Sequence, residues 1–325
     1  MVRRPHSLPA GVESGDEDGS TERHGRDHGT PRNHEQGLGP EEGLRDPRRG
    51  FTRWPLPAFR WLPLVLASLP MLLFLVVPLV ALVLRVSLGN LLVLVLTILT
   101  GTAHSDAAQA LALSIDTTLV ATGITVVLGT PLAYLLARRR FFGHTVADAL
   151  VDLPVVLPPA VAGIALLVSL GRNGVFGPAL AHLGIALPFT SAAVVLAQIF
   201  VAAPFYIRAA INAFSAIRRE LEEAAAIDGA GSWGVFTRIT LPLALPALAS
   251  GMVMTWARAL GEFGATIIFA GNFPGRTQTI PLAIYLGFEI DLDTALTLAA
   301  LQLALAFSIV LVVRGILRRA LSSGE

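Results

Sequence analysis

The run LPLVLASLPMLLFLVVPLVALVLRV occupies residues 62–86 and contains a single charged side chain, Arg85. A helix needs about 20 apolar residues to cross a hydrocarbon core of about 30 Å. The run exceeds that length with almost no charge. It therefore predicts a membrane-spanning helix rather than the core helix of a soluble domain.

Five further apolar segments follow along the chain, at about 112–137, 149–170, 192–214, 243–270 and 295–317. Together with the first they predict an all-α fold, a polytopic membrane bundle of about six transmembrane helices. The apolar stretch 88–100 is shorter than a membrane crossing. We interpret it as a helix lying at the outer surface, with a seventh span as the alternative.

The overall composition agrees with a membrane protein. Of 325 residues, 54% are apolar and 14% are charged, whereas soluble chains carry roughly 25% charged residues. The chain has no Cys, which excludes disulfides, thiolate metal sites and Cys nucleophiles. The first 50 residues are polar and rich in Gly and Pro, so residues 1–55 are predicted to form a disordered tail. We predict no metal site at the four His of this tail.

Arginine positions predict the orientation, because cytoplasmic loops are enriched in positive charge. With six spans, nine arginines of the loops and the C-terminus lie on the same side of the membrane as the N-terminal tail: Arg138, Arg139, Arg140, Arg218, Arg219, Arg238, Arg314, Arg318 and Arg319. The opposite side has three: Arg85, Arg172 and Arg276. Both termini are therefore predicted to be cytoplasmic.

The segment 215–242 between the fourth and fifth spans, SAIRRELEEAAAIDGAGSWGVFTRITLP, is too polar for a membrane core. Ser215 is a plausible N-cap, and Gly229 suits a helix end that requires positive φ. An apolar face at Ile217, Leu221, Ala224 and Ala225 and the i,i+4 pairs Arg218–Glu222 and Arg219–Glu223 predict a short amphipathic helix. From physical chemistry alone, this helix is equally an interfacial linker or a surface that docks into a partner.

The same segment resembles the EAA loop of binding-protein-dependent ABC importer permeases, through Glu223-Ala224-Ala225, Gly229 and Ile239-x-Leu241-Pro242. The resemblance extends over about 105–318 and implies the type 1 importer permease fold. It also implies a coupling helix that sits in a cleft of a cytoplasmic ATPase. The residues expected to take part are Glu222, Glu223, Ala224, Ala225, Asp228, Gly229 and Ala230.

This resemblance divides the chain into four parts. The tail 1–55 is followed by the first transmembrane helix and outer segment at 56–104. The permease core, five transmembrane helices with the coupling loop 215–242, follows at 105–318, and a short tail at 319–325 ends the chain.

Two other stretches are similar to the molybdate branch of the family: WARALGEFGATIIFAGNFPGRTQTIPLAIY at 256–285 and VDLPVVLPPAVAG at 151–163. They imply an importer of tetrahedral oxyanions, most specifically of molybdate. Sulfate and tungstate remain the alternatives.

The chain contains no phosphate-binding G-x-x-x-x-G-K-[ST] run, and it has no Lys to complete one. ATP hydrolysis is therefore assigned to a separate subunit that uses ATP and Mg²⁺, and this chain is expected to be neither an enzyme nor the holder of a cofactor. The resemblance implies two copies of this chain, two ATPases, and one extracellular or periplasmic molybdate-binding protein, in a bacterial cell membrane. Membrane lipid is a further partner and nucleic acid is not.

Ionisable residues within spans are costly and indicate function by default. Arg258 and Glu262, with Gly261 and Gly264 beside them, are interpreted either as a pair that neutralises itself or as a lining of the translocation path. Helix-breaking Pro154, Pro158 and Pro159 are predicted to kink the third span, for a hinge or for shape. Weaker candidates for the path are Asp116, Asp152, Gln198 and Arg208.

Two other classes of protein remain as alternatives. An ion-coupled secondary transporter often shows inverted repeats, and we find no convincing repeat. An intramembrane enzyme requires nucleophiles or metal ligands within its spans. The body of this chain instead has three His, at positions 104, 144 and 182, all predicted in loops.

Overall fold

The computed structural model describes residues 61–100 and 106–322. The described residues from Pro63 onward belong to one compact unit. Within these ranges the regular structure is helical, and no strand is found there. The helices are α1 (Leu62–Arg85), α2 (Leu88–Thr100), α3 (Asp106–Arg138), α4 (His144–Val156), α5 (Pro159–Leu170), α6 (Gly177–His182), α7 (Ser191–Ala216), α8 (Arg219–Ile227), α9 (Ser232–Val235), α10 (Leu241–Leu260), α11 (Gly264–Phe269), α12 (Ile280–Ile290) and α13 (Leu292–Ser322).

Five continuous helical segments in the described ranges are long and apolar enough to cross a membrane, at Leu62–Arg85, Asp106–Arg138, Ser191–Ala216, Ser232–Leu260 and Leu292–Val313. The bent pair of α4 and α5 makes a sixth if it is one span. The predicted all-α membrane bundle is therefore confirmed. The predicted tail, its His residues and His104 lie outside the described residues. His144 and His182 are the first residue of α4 and the last of α6, so the prediction that they lie in loops is wrong.

The predicted third span is not one straight helix. α4 and α5 are bent by 117° at Leu157 and Pro158, and Pro159 is the first residue of α5. Pro158 and Pro159 lack the N–H that would continue the helix, which explains the position of the break. Pro154 lies within α4 and does not end it.

The fifth span ends earlier than the predicted position 270. A π-helix at Phe236–Thr240 joins α9 to α10, and α10 ends at Leu260. The last residues of the predicted span form the separate helix α11. Gly261 follows α10 directly, and a glycine inside an apolar pattern is too weak a signal for a helix end to be read from sequence.

Helix α7 is central, with α3 and α10 packed against it. Its buried residues Tyr206, Ala210 and Phe214 form a core with Ala133 of α3 and Ala244 of α10. Close approach depends on small residues, as is common between membrane helices. A Cβ atom at Gly129 would lie 3.1 Å from the Tyr206 ring, and one at Gly251 would lie 2.6 Å from the Ala209 methyl group.

Helices α12 and α13 form a tight hairpin joined only by Asp291. Its carboxylate accepts hydrogen bonds from the Asp293 amide and the Thr294 hydroxyl, so it caps α13. The Thr294 hydroxyl contributes most to lowering the pKa of this exposed carboxyl group below its usual value. α12 was not predicted, because its 11 residues are too few for a span.

Candidate coupling helix and membrane path

The predicted polar segment folds as an extension of two spans with one short helix between them. α7 continues to Ala216, Ile217 and Arg218 are extended, and α8 then runs from Arg219 to Ile227. Ser215 lies inside α7, so its prediction as an N-cap is wrong. Arg218 is the N-cap, without a side-chain hydrogen bond. Gly229 has a φ of +92°, which confirms the predicted left-handed turn after the helix.

A largely buried ion pair fixes α8 to the end of α3. Arg138 donates from Nη2 to Glu222 Oε1 at 2.9 Å and to the Ile217 carbonyl at 3.2 Å. Thr240, in the π-helix, donates its hydroxyl to the same Glu222 oxygen at 2.7 Å. The side chains of Arg138 and Glu222 are only 8% and 16% exposed. One carboxylate therefore ties α8 to the ends of two spans.

The intrahelical pairs predicted for α8 are not present. Glu222 bonds to Arg138 instead of Arg218, and Arg218 contacts Glu220 at 3.5 Å. Within the described chain, no ion pair joins Arg219 to Glu223. The reason is burial: a carboxylate turned toward the bundle must be paired there, whereas surface charges gain little from pairing.

The outer surface of α8 and of the turn that follows it, here called the coupling face, contains the exposed residues Glu220, Glu223, Ala224, Ala226, Ile227, Asp228 and Gly229. Glu222, Ala225 and Ala230 are partly buried on the other side. Ile227 is 85% exposed at the tip, an apolar group among charged neighbours. The predicted apolar side of the helix is therefore only partly correct, because Leu221 and Ala224 are exposed.

Aromatic rings support the base of this segment. Tyr134 of α3 makes edge-to-face contacts with Phe214 and Phe236 at 5.4 and 5.0 Å, and Trp233 stacks on Phe236 at 5.7 Å. Such contacts add to apolar burial in fixing geometry. The base of the segment is therefore packed against α3 and α7 and is not a loose loop.

At the other end of α10, two predicted groups of residues come together. α11 packs on α5, and a Cβ at Gly264 would lie 2.7 Å from Pro159. A Cβ at Gly163 would lie 2.8 Å from the Ala265 carbonyl oxygen. The prolines that break the third span therefore adjoin the segment that carries Glu262. Gly261 has no comparable close neighbour, so only Gly264 serves close packing.

Arg258 and Glu262 do pair, at 3.4 Å, although Glu262 lies beyond the end of α10. Glu262 is 1% exposed, and its Oε1 accepts the Ala265 amide of α11 at 2.9 Å. The Arg258 side chain is 33% exposed. Glu262 therefore holds the turn between α10 and α11, and Arg258 is the member of the pair that reaches the surface of the single chain.

The weaker candidates separate into distinct roles. Arg208 of α7 pairs with Asp148 and Asp152 of α4, at 2.6 and 2.5 Å, as expected of a structural pair. Gln198 is buried and donates to Thr117 of α3 at 3.1 Å. Asp116 is exposed on α3, 22 residues before Arg138 and thus about 33 Å from it along the helix.

Sequence reasoning missed Arg138 and Ile227 as members of the site. Arg138 was assigned only to the positive-inside pattern, because its partner lies 84 residues away in the chain. Within the part of the chain that the structure describes, no group of three or more His, Asp or Glu side chains is placed to hold a metal ion.

Comparison with known proteins identifies this architecture. A family described as "Binding-protein-dependent transport system inner membrane component" matches residues 126–324. The chain belongs to this family. It is thus a multi-pass inner-membrane permease subunit, a transport protein rather than an enzyme.

Among its relatives, the molybdenum transport system permease protein ModB of Mycobacterium tuberculosis is 42% identical over 258 residues, 79% of this chain and 93% of that protein. A probable sulfate transport system permease of Helicosporidium is 37% identical over 210 residues, 64% of this chain and 77% of the relative. The fold is similar to a chain of a bacterial alginate ABC transporter, solved with an alginate-bound periplasmic protein. The TM-score is 0.60 at 23% identity, over 81% of this chain and 96% of that one.

Proposed function

We propose that this chain forms the translocation path of an ATP-driven molybdate importer and is coupled to a separate ATPase through the coupling face of α8. The single observation that carries the coupling is the way α8 is held. Its inner side is tied by Glu222 to Arg138 and Thr240, while its outer side is exposed and ends in Ile227. A mere linker needs no such buried anchor.

Molybdate is the proposed substrate because the ModB permease of Mycobacterium tuberculosis is more similar to this chain than the sulfate permease of Helicosporidium is. The former is 42% identical over 79% of the chain and the latter 37% identical over 64%. Sulfate and tungstate are the alternative cargoes, since all three are tetrahedral dianions. Arg258 is the candidate cation of the translocation path. Its partly exposed guanidinium group would attract a dianion without enclosing it in a binding site.

The working unit proposed here contains two copies of this chain, two ATPases that bind ATP and Mg²⁺, and one solute-binding protein outside the membrane. Two-fold symmetry suits a path between two identical bundles. Both chain termini and α8 are assigned to the cytoplasm, because the Arg-rich loops are expected on that side.

The test is uptake of radiolabelled molybdate by proteoliposomes that contain this chain, its ATPase and the binding protein. We expect vanadate-sensitive uptake that requires ATP, and weaker inhibition by sulfate than by unlabelled molybdate. Uptake without the ATPase that collapses with an ionophore would instead establish a secondary transporter. Preferential transport of sulfate would overturn the substrate assignment and leave the coupling intact.

Coupling is tested separately with Ile227→Asp, which places a charge at the apolar tip of the coupling face. We expect normal membrane insertion and at least a tenfold loss of co-purified ATPase. Val175→Asp is the matched control, because Val175 is 75% exposed in the segment between α5 and α6, remote in sequence from α8. Unchanged co-purification of the Ile227→Asp variant would exclude a docking role for this tip.

A further inference from the structure

A cavity of about 1450 Å³ opens beside the coupling helix, between α3 and α10. Its wall toward the membrane interior is apolar and includes Val127, Leu135, Leu245, Ala249 and Met252. Tyr206 and Thr130 are the polar groups among these walls, and their hydroxyls bond to each other at 2.6 Å. The interior of the groove therefore presents no unsatisfied polar group from this pair.

The dimensions of the groove match one leaflet of a bilayer. Its lining on α3 extends from Val126 to Arg139, about 20 Å of helix, and its lining on α10 extends from Leu241 to Met252, about 17 Å. Half of the hydrocarbon core is about 15 Å thick. An acyl chain entering from the cytoplasmic leaflet fits this length with its headgroup beside α8.

The charged end of the groove favours an anion. Five charged residues line it: Arg138, Arg139, Arg219, Glu222 and Glu223. Arg138 and Glu222 neutralise each other, so Arg139 and Arg219 outnumber Glu223. Among the described residues, the side chains of Arg139 and Arg219 make no hydrogen bond and no ion pair. Two free guanidinium groups beside one carboxylate leave an excess of positive charge.

Trp233 also lines this end and is 76% exposed. Trp side chains favour the headgroup level of a bilayer, and basic pockets between helices on the cytoplasmic side bind anionic headgroups. We propose that the groove is a binding site for one anionic phospholipid, with an acyl chain between α3 and α10 and the phosphate at Arg139 and Arg219. The lipid then contacts both the coupling helix and the spans it moves.

The test uses native mass spectrometry of the delipidated full-length chain, titrated with phosphatidylglycerol or phosphatidylcholine of identical acyl chains. We expect at least fivefold tighter binding of phosphatidylglycerol. The double variant Arg139→Gln/Arg219→Gln should reduce its affinity to that of phosphatidylcholine. Arg140→Gln is the matched control, because Arg140 is exposed beside Arg139 but does not line the groove.

Groove-filling variants distinguish this site from general attraction to a basic surface. Ala249→Phe, or Met252→Trp if the first does not fold, should reduce binding of both lipids at least fivefold. Circular dichroism and gel filtration check folding. Equal affinity for the two lipids, or an equal effect of Arg140→Gln and the double variant, would overturn the proposal.

A photo-crosslinking amino acid at Leu245 identifies the occupant in membranes. A lipid adduct on the intact chain supports the site. A crosslink to a second copy of the chain or to the ATPase would overturn the proposal and assign the groove to a protein interface. Neither result depends on the transported anion, so failure here leaves the proposed function untouched.

Discussion

Gly229 ends α8 with a φ of +92°, and a Cβ atom there would meet nothing within 4 Å. Any penalty for a side chain therefore comes from backbone conformation alone, which costs roughly 1–2 kcal/mol for an L-residue. We expect Gly229→Ala to lower thermal stability and the yield of co-purified ATPase. Gly229→Asn should be milder, because Asn adopts this conformation more readily.

Gly231 provides the control for this prediction, since it is equally open but has a φ of −66°. Gly231→Ala should lower the melting temperature and the ATPase yield less than Gly229→Ala does, with only a small loss from replacing the N-cap glycine of α9. A similar loss from both variants would show that crowding by the partner, and not backbone strain, sets the requirement for glycine in this turn.

Glu262 is the residue at which a structural and a transport role can be separated. Glu262→Ala leaves the Ala265 amide without its buried acceptor, which costs about 1–3 kcal/mol. Glu262→Gln keeps an oxygen for that amide, so we expect most of the stability to be retained in thermal denaturation. Molybdate uptake by the Gln variant then measures how much the negative charge of Glu262 contributes to transport. An equal loss of stability in both variants would contradict the capping role.

At the scale of elements, the buried pair between Arg138 and Glu222 joins α3 to α8. Glu222→Ala and Arg138→Ala each leave one poorly exposed charge without its partner. Each should therefore destabilise the protein by at least about 1 kcal/mol, and by up to the roughly 3–5 kcal/mol measured when a fully buried pair is broken. A double-mutant cycle on thermal stability should give a coupling energy of about 0.5–3 kcal/mol. The pair Arg218–Glu220 is the control, because it is 76% and 69% exposed and should contribute almost nothing. Equal coupling energies for the two pairs would contradict the anchoring of α8.

The same elements show which features of the fold can be predicted from the sequence and which cannot. α1, α3, α7 and α13 were predictable, because a long apolar run has few alternatives to a membrane helix. The ion-pair partner of Glu222 could not be predicted from the sequence. Helical spacing indicates Arg218 as the partner, and only the tertiary fold brings Arg138 close to Glu222. Ser215 failed as an N-cap because the burial of neighbouring Phe214 in the core continues α7 past it. For the partner of Glu222 and for Ser215, tertiary packing outweighed the local preference of the sequence.

At the scale of the whole molecule, the described bundle leaves much apolar surface uncovered. α1 contains no buried residue, and α4 likewise contains none. An ion pair lies near each end of α10, that of Glu222 at one end and that of Glu262 at the other. The continuous helix α10 lies between these sites and connects the segment that carries α8 to the segment that packs on α5.

The absence of Cys makes the orientation of this link directly measurable, because every introduced thiol is unique in the chain. Ile227→Cys should react with a membrane-impermeant maleimide only in inside-out vesicles, and bound ATPase should protect it, since its side chain is exposed at the tip of α8. Val175→Cys, exposed in the segment after α5, should react only in right-side-out vesicles. Labelling of both residues from one side would contradict an odd number of crossings between them. Labelling of Ile227→Cys from outside alone would place the coupling face beyond the reach of any cytoplasmic ATPase.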